Sequence, residues 1–188
     1  MDFGIDYTLF RLDKDLFDHK SGIHGVNHTY RVMYHVLQIA RATGFKRDGV
    51  NAFCAAYIHD MARVHDGYCT QHGTWAAERK LGLYSNLFYK VGLNNEDLEK
   101  VEIAVKYHSL TEELEKGDKA YTVTALLKDA DALDRIRLGD GDLDISYLRL
   151  PETKKMVNNA ESIFFATNEM SFDSFPEILK YIENCNIK

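Results

Sequence analysis

The stretch AFCAAYIHDMAR, residues 52 to 63, decides how the chain is read. Small and aromatic residues (Ala52, Phe53, Ala55, Ala56, Tyr57, Ile58) run without a helix breaker into the adjacent polar pair His59 and Asp60. The sequence predicts a helix from about Asp48 to Arg63 that carries this pair towards the interior. An imidazole and a carboxylate buried side by side are costly unless something satisfies both. A divalent metal is the simplest partner for the two together.

Outward from this stretch the apolar residues recur at spacings of three and four, and the chain contains only 2 prolines, Pro151 and Pro176. That periodicity is helical. The fold expected is all-α: a compact single-domain helical bundle over residues 1 to 188, with short connections. A first helix is expected from about Asp6 to His19, broken by the glycines of SGIHGVN. Asn27 is a candidate cap for a helix from His28 to about Thr43, whose stripe Val32, Val36, Ile39 and Ala40 puts His28 on the inward face. After the polar turn VHDGYCTQHG, helical sequence resumes near Gly73 or Thr74. Asn94, followed by Glu96 and Asp97, marks another start, and its stripe Leu98, Val101, Ala104, Val105 turns His108 inward. Gly117 and Asp118 are expected to open the helix containing TVTALLKDADALDRIR. Two more helices, about 152 to 168 and 175 to 184, pack on this core, the second with a capping-box pattern from Ser174 to Glu177.

At 188 residues the chain is long enough to bury about 70% of its unfolded surface, and 45% hydrophobic with 28% charged residues is an ordinary globular mixture. The N-terminal MDFGIDYTLFRLDKD has acids where a signal peptide has a basic region, and no apolar run approaches membrane-spanning length, so a soluble cytoplasmic protein is expected. The 3 cysteines (Cys54, Cys69, Cys185) form no CxxC pair, which argues against a disulfide framework or a thiolate zinc site. Cys54 reads as core filling. A net charge of -6 without a basic stripe argues against binding a nucleic-acid duplex.

Several predicted helices thus carry a metal-competent side chain on their inward face: His28, the pair His59 and Asp60, His108, and an aspartate of KDADALD. A single one is easily a satisfied core residue, but recurrence on successive helices is how helical bundles assemble metal sites. Helical spacing admits both Asp129, three after Leu126, and Asp131, four after Leu127. The ordered segments GVNHTYRV, YIHDMAR, TQHGTWAAE, KYHS and LLKDADALDR, spanning residues 22 to about 137, resemble the HD-domain metal-dependent phosphohydrolases. The resemblance implies that His28, His59, Asp60 and Asp131 hold one divalent metal, with Asp129 orienting a ligand or Lys128. It further implies that His72 and His108 serve a second ion and that Asp60 bridges the two. The alternative is that His108 hydrogen-bonds substrate or water and His72 caps the following helix.

Imidazoles and carboxylates suit manganese, iron, cobalt, nickel, zinc or magnesium, and such ions activate water and polarise a phosphoryl group. The activity implied is hydrolysis of a small phosphorylated substrate, a nucleotide or another phosphate ester, by a phosphomonoesterase, phosphodiesterase or nucleotide hydrolase. Asp60, His108, Arg63 and Lys128 are the candidate catalytic residues. Arg63, four residues after His59, is placed to hold a phosphate oxygen, its alternative being an exposed salt bridge; Lys128 rests on the resemblance. A silent nucleotide-binding or regulatory module with a structural metal is the competing function, and a homodimer is compatible with either.

Other residues read more plainly. His24 is expected in the loop at the pocket mouth, His35 as a hydrogen-bonded core histidine, and His65 with Asp66 as the end of the third helix. Tyr147 and Arg149 are candidate substrate contacts. The acidic run Asp140, Asp142, Asp144 fails as a calcium loop, because Ile145 and Pro151 stand where glycine and glutamate are needed. There is no Walker loop, GxSxG turn, HExxH or Rossmann fingerprint, and HDMARVHDG does not continue as the GYP extension of cyclic dinucleotide phosphodiesterases.

Overall fold

The computed structural model describes residues 1–139, 143–185 and 187, which form helices, 3-10 turns and loops with no strand among them. Asp140 and Asp142 of the acidic run lie outside the described residues; Asp144 caps a 3-10 turn, its carboxylate accepting from the Ser146 amide at 2.9 Å. The α-helices among the described residues are α1 (Val26–Thr43), α2 (Lys46–Ile58), α3 (His72–Arg79), α4 (Leu81–Lys90), α5 (Asn95–His108), α6 (Tyr121–Leu133), α7 (Pro151–Lys154), α8 (Val157–Thr167) and α9 (Phe175–Asn184).

The helix α2 is the hub. Ala52, Phe53, Cys54, Ala55, Ala56 and Ile58 are all fully buried, and a helix apolar on every side has to be enclosed on every side. Helices α1, α5 and α6 enclose it. Burying Phe53 and Ile58 alone contributes about 1.5–3 kcal/mol each. The helix ends at Ile58 rather than running to Arg63. His59 keeps helical dihedrals, and then the chain tightens, with Met61 N donating to Ile58 O and Arg63 N to Asp60 O, both at 3.1 Å. The Met61 carbonyl is taken by the amide of Asp18 at 2.9 Å. The hub therefore delivers His59, Asp60 and Arg63 at its own C-terminal end.

Helix α1 begins at Val26, two residues before His28, with Gly25 as the N-cap instead of Asn27. Glycine is required there, since a Cβ would lie 2.5 Å from the Ser21 carbonyl oxygen. The Asn27 amide instead donates to Met170 O at 2.7 Å and fastens the start of α1 to the segment after α8. Helix α5 starts as the sequence predicts, with a reciprocal box between Asn94 and Asp97, each accepting from the other's amide at 2.9 Å. Asp97 also accepts from Asn51 at 2.9 Å and pairs with Arg47, which joins α5 to the flank of α2.

Elsewhere local chemistry overrides the helical pattern. The expected helix 6–19 is two 3-10 turns, Tyr7–Leu9 and Lys14–Leu16, with extended backbone at Phe10 and Phe17. Asp6 and Asp13 fold their side chains onto the amides of Thr8 (3.0 Å) and Asp15 (2.8 Å), competing with helix hydrogen bonds. The extended backbone finds distant partners: Leu12 N donates to Tyr30 Oη at 2.7 Å, Tyr57 Oη to Arg11 O at 2.6 Å, and Phe175 N to Phe10 O at 3.0 Å. The helix expected from Gly117 starts at Tyr121, because Asp118 accepts from the Ala120 amide at 2.7 Å. The span expected as one helix from 152 is split into α7 and α8 at Lys155 and Met156. The Ser174 box does not form; Glu177 reaches instead to the amide of Asp173 at 2.8 Å.

Helix α3 starts at His72 and leans closely on α5 through Gly73. A Cβ at Gly73 would sit 2.4 Å from Val105 O and 2.7 Å from Ser109 Oγ. Gly73→Ala is therefore expected to push α3 off α5 and lower stability by about 1–3 kcal/mol, read by urea titration. Wild-type stability in the variant would contradict this close approach.

Candidate metal centre

The C-terminal ends of α2 and α5, the first turns of α1 and α3, and the end of α6 meet at one level of the bundle. They bring together His28, His59, Asp60, His72, His108 and Asp131. Asp60 stands in the middle. Its Oδ2 faces His28 Nε2 at 3.4 Å and His59 Nε2 at 3.7 Å. Its Oδ1 faces His72 Nε2 at 3.1 Å and His108 Nε2 at 3.7 Å. Asp131 joins the first pair, with Oδ1 3.3 Å from His28 Nε2.

Each of the four imidazoles has its Nδ1 committed to an acceptor. His28 Nδ1 donates to Asp134 at 2.7 Å, His59 to Ala56 O at 2.7 Å, His72 to Cys69 O at 2.8 Å and His108 to Val105 O at 2.6 Å. The Nε2 atoms are thus aimed inward: His28 and His59 lie 3.2 Å apart, and His72 and His108 2.9 Å apart. Two bare lone pairs at such distances repel unless a cation, a proton or a metal ion, stands between them. Asp131 Oδ1 is shut off from solvent and makes no hydrogen bond. The arrangement fits a divalent metal: imidazoles whose Nδ1 atoms are engaged and whose Nε2 atoms turn inward, carboxylates beside them and an unsatisfied buried oxygen.

The electrostatics agree. Burial raises the Asp60 carboxyl, but the surrounding histidines outweigh it and hold the group well below the usual carboxylate range. Asp131 is likewise held low, burial being outweighed by His28 and Arg137. Burial pushes His59 down to about 3 and lowers His72, so both rings are neutral at pH 7. His28 is opposed by burial and by Arg137, yet Asp131, Asp134 and Asp60 together push it up to about 9. The centre attracts positive charge to the His28 Nε2 position.

Asp129 has a different task from the one expected: its carboxylate accepts from the amides of Arg149 (3.0 Å) and Leu150 (2.9 Å) and anchors that loop. Lys128 Nζ donates to Leu110 O, Glu112 O and Glu113 Oε1 within 3.1 Å. Arg149 pairs with Glu113 and Asp129. Arg63 is buried rather than an exposed surface ion pair. It lies 3.6 Å from Asp60 Oδ1, donates to Gly67 O at 2.9 Å, and its Nη1 rests 3.2 Å from both nitrogens of His72. His24 lies in the loop before α1 but is buried rather than at the mouth, its Nδ1 3.0 Å from Asp60 Oδ2. His35 is buried with no hydrogen bond at Nε2, and burial drives it down to about 4. His65 and Asp66 fall in the exposed loop beyond the hub, where Asp66 pairs with His19 at 3.3 Å.

Sequence reasoning passed over Arg31, Asp134 and Arg137. Asp134 and Arg137 follow Asp131 at intervals of three, where α6 runs on into a 3-10 turn at Asp134–Leu138, and a three-residue repeat stacks side chains on one edge. Arg137 Nη2 lies 3.5 Å from Asp131 Oδ1 and 3.3 Å from His24 Nδ1. The DxxDxxR spacing was the available signal.

Two adjoining cavities open on the centre. One, of about 400 Å3, is lined by His24, Asp60, Arg63, His72, Asp131 and Arg137 among others. The other, of about 330 Å3, has Leu110, Lys128, Leu143, Tyr147 and Arg149 in its wall. His108 and Asp131 border both. No helix among the described residues is long and apolar enough to cross a membrane.

Comparison with known proteins finds no match among curated proteins and none among solved structures. The HD domain family, in contrast, matches residues 25–136, a span that starts just before α1, ends just beyond α6 and contains His28, His59, Asp60, His72, His108 and Asp131, with the neighbouring His24 and Arg137 just outside it. With that span covering more than half of the chain, and with the family's adjacent histidine and aspartate at the end of the hub helix, the protein belongs to the HD domain family.

Proposed function

We propose that the protein is a phosphohydrolase that works with two divalent metal ions and cleaves a small phosphate ester, a nucleotide being the substrate that suits the cavities best. The observation that carries this reading is the division of Asp60: Oδ2 faces His28 and His59, Oδ1 faces His72 and His108. On this reading the first ion takes His28, His59, Asp131 and Asp60, and the second takes His72, His108 and Asp60. Bound ions of this kind supply a water of lowered pKa and charge stabilisation at phosphorus.

The chain's own residues do the rest. Arg63 and Arg137 present guanidinium groups in the wall of the larger cavity, the geometry that holds phosphoryl oxygens. The smaller cavity, with Leu110, Leu143 and the exposed ring of Tyr147, receives the leaving group. A ring system such as a base suits an aromatic and aliphatic wall. Lys128 and Arg149 shape that wall through their bonds to Glu113.

The test is a metal count followed by turnover. Elemental analysis of the full chain reloaded with manganese is expected to give two ions, and His72→Ala or His108→Ala one. The reloaded protein is expected to hydrolyse nucleoside monophosphates and p-nitrophenyl phosphate. Turnover by rigorously metal-free protein overturns the reading. Tight nucleotide binding without turnover on any ion makes the protein a binding module instead.

A further inference from the structure

Asp134 is one of the most deeply enclosed charged groups in the chain, fully buried, and no step above uses it. Its Oδ2 accepts from His28 Nδ1 at 2.7 Å and from Arg31 Nη2 at 3.0 Å, while its Oδ1 accepts from Arg31 Nε at 2.5 Å. Arg31 is itself buried and its guanidinium lies 5.0 Å from the centroid of the Phe164 ring on α8. Arg137 closes the far side, donating to the Asp134 carbonyl at 3.0 Å. The chain Phe164, Arg31, Asp134, His28 runs without a gap from the C-terminal helices, outside the family match, to an inward-facing nitrogen of the centre.

We infer that Asp134 is a positioning residue: clamped by Arg31, it keeps the proton of His28 on Nδ1 and so holds Nε2 towards Asp60 and Asp131. A ring free to turn, or carrying its proton on Nε2, offers no lone pair there, so the clamp sets the affinity of the centre for a cation. Carboxylates behind metal-binding histidines act in this way and are worth roughly 10–100-fold in affinity. Both oxygens of Asp134 already accept from donors, so the isosteric amide cannot replace it. In Asp134→Asn one NH2 must face either Arg31, which has only donors, or His28 Nδ1, which would then become an acceptor and move its proton to Nε2. The role also accounts for α8: Phe164 covers the face of the guanidinium that holds the carboxylate.

The inference rests on the proposed metal centre, and two readouts separate the fates of the two ideas. The first needs no metal. In long-range proton–nitrogen spectra of the metal-free chain, the wild type is expected to show a low-field proton on His28 Nδ1, the sign of a bond to a carboxylate, and Asp134→Asn to lose it. The second is cobalt titration followed by visible absorption, in which Asp134→Asn is expected to bind about 10–100-fold more weakly with an unchanged far-ultraviolet circular dichroism spectrum. Asp134→Glu, which keeps the charge but displaces it by one methylene, serves if the amide variant does not fold; it too must shift the low-field proton and weaken cobalt. Wild-type cobalt affinity in the folded variant, or a retained low-field proton, overturns the inference. Loss of the proton in a protein that binds no cobalt even as wild type supports the orientation of His28 and removes the metal reading instead.

Discussion

Asp60→Asn is expected to abolish turnover, by at least about 10^3-fold, and to empty the centre of both ions. Effects of that order follow when one member of a group acting as a unit is removed. The reason lies in the placement of the carboxylate: each oxygen faces a different pair of imidazoles, and among the described residues it is the negative group that pairs with all four. An amide keeps the shape, but it turns an NH2 towards one pair and removes the charge that offsets two cations. By contrast, His72→Ala leaves Oδ2, His28, His59 and Asp131 undisturbed and takes away one ion only. Elemental analysis and steady-state turnover measured on the same preparations check both statements. Two ions retained by Asp60→Asn, or turnover near that of the wild type, would contradict the bridging role.

The second large effect is on pH. In the metal-free protein His28 holds a proton up to about 9, while burial keeps His59 uncharged down to about 3 and depresses His72. The carboxyls of Asp60 and Asp131 stay ionised throughout. A metal ligand must present a bare nitrogen, so binding below pH 9 displaces the proton of His28. The sign follows: apparent affinity falls as pH falls, by tenfold per unit for each proton displaced. From pH 8 to pH 5 the affinity for manganese or cobalt is expected to drop about 10^3-fold through His28 alone, and turnover at limiting metal to drop with it. Isothermal titration in two buffers of different ionisation enthalpy counts the released proton. An affinity independent of pH across this range would exclude His28 from the ligands.

Much of the centre was legible because the helical repeat and the chemistry coincide. His108 lies in phase with Val105 and Ala104, so burying the stripe of α5 also buries the histidine. Likewise the all-apolar character of residues 52–58 required a hub helix, and a hub helix has its end in the interior. The N-terminal segment was misread because Tyr7, Phe10 and Phe17 keep helical intervals although Phe10 and Phe17 are buried from extended backbone, and aspartate side chains claim the amides a helix would use. Arg137 escaped because it lies beyond the point where α6 changes from 3.6 to 3.0 residues per turn. Under the α-helical period Arg137 points away from Asp131; under the tighter one it stacks above it.

The sequence by itself determined the class of the fold, the family, and the set of imidazoles and carboxylates that could meet. Periodicity fixes which face of a helix is inward, and an inward polar group needs a partner. Only the tertiary structure decided the partition of those groups. It set Asp60 with one oxygen towards each histidine pair, committed every Nδ1 to an acceptor, turned Asp129 to a loop and put Asp134 behind His28. Those choices depend on the level at which helix ends meet and on which acceptor lies behind each ring. Both are set by packing between segments far apart in the chain, on which a local repeat carries no information.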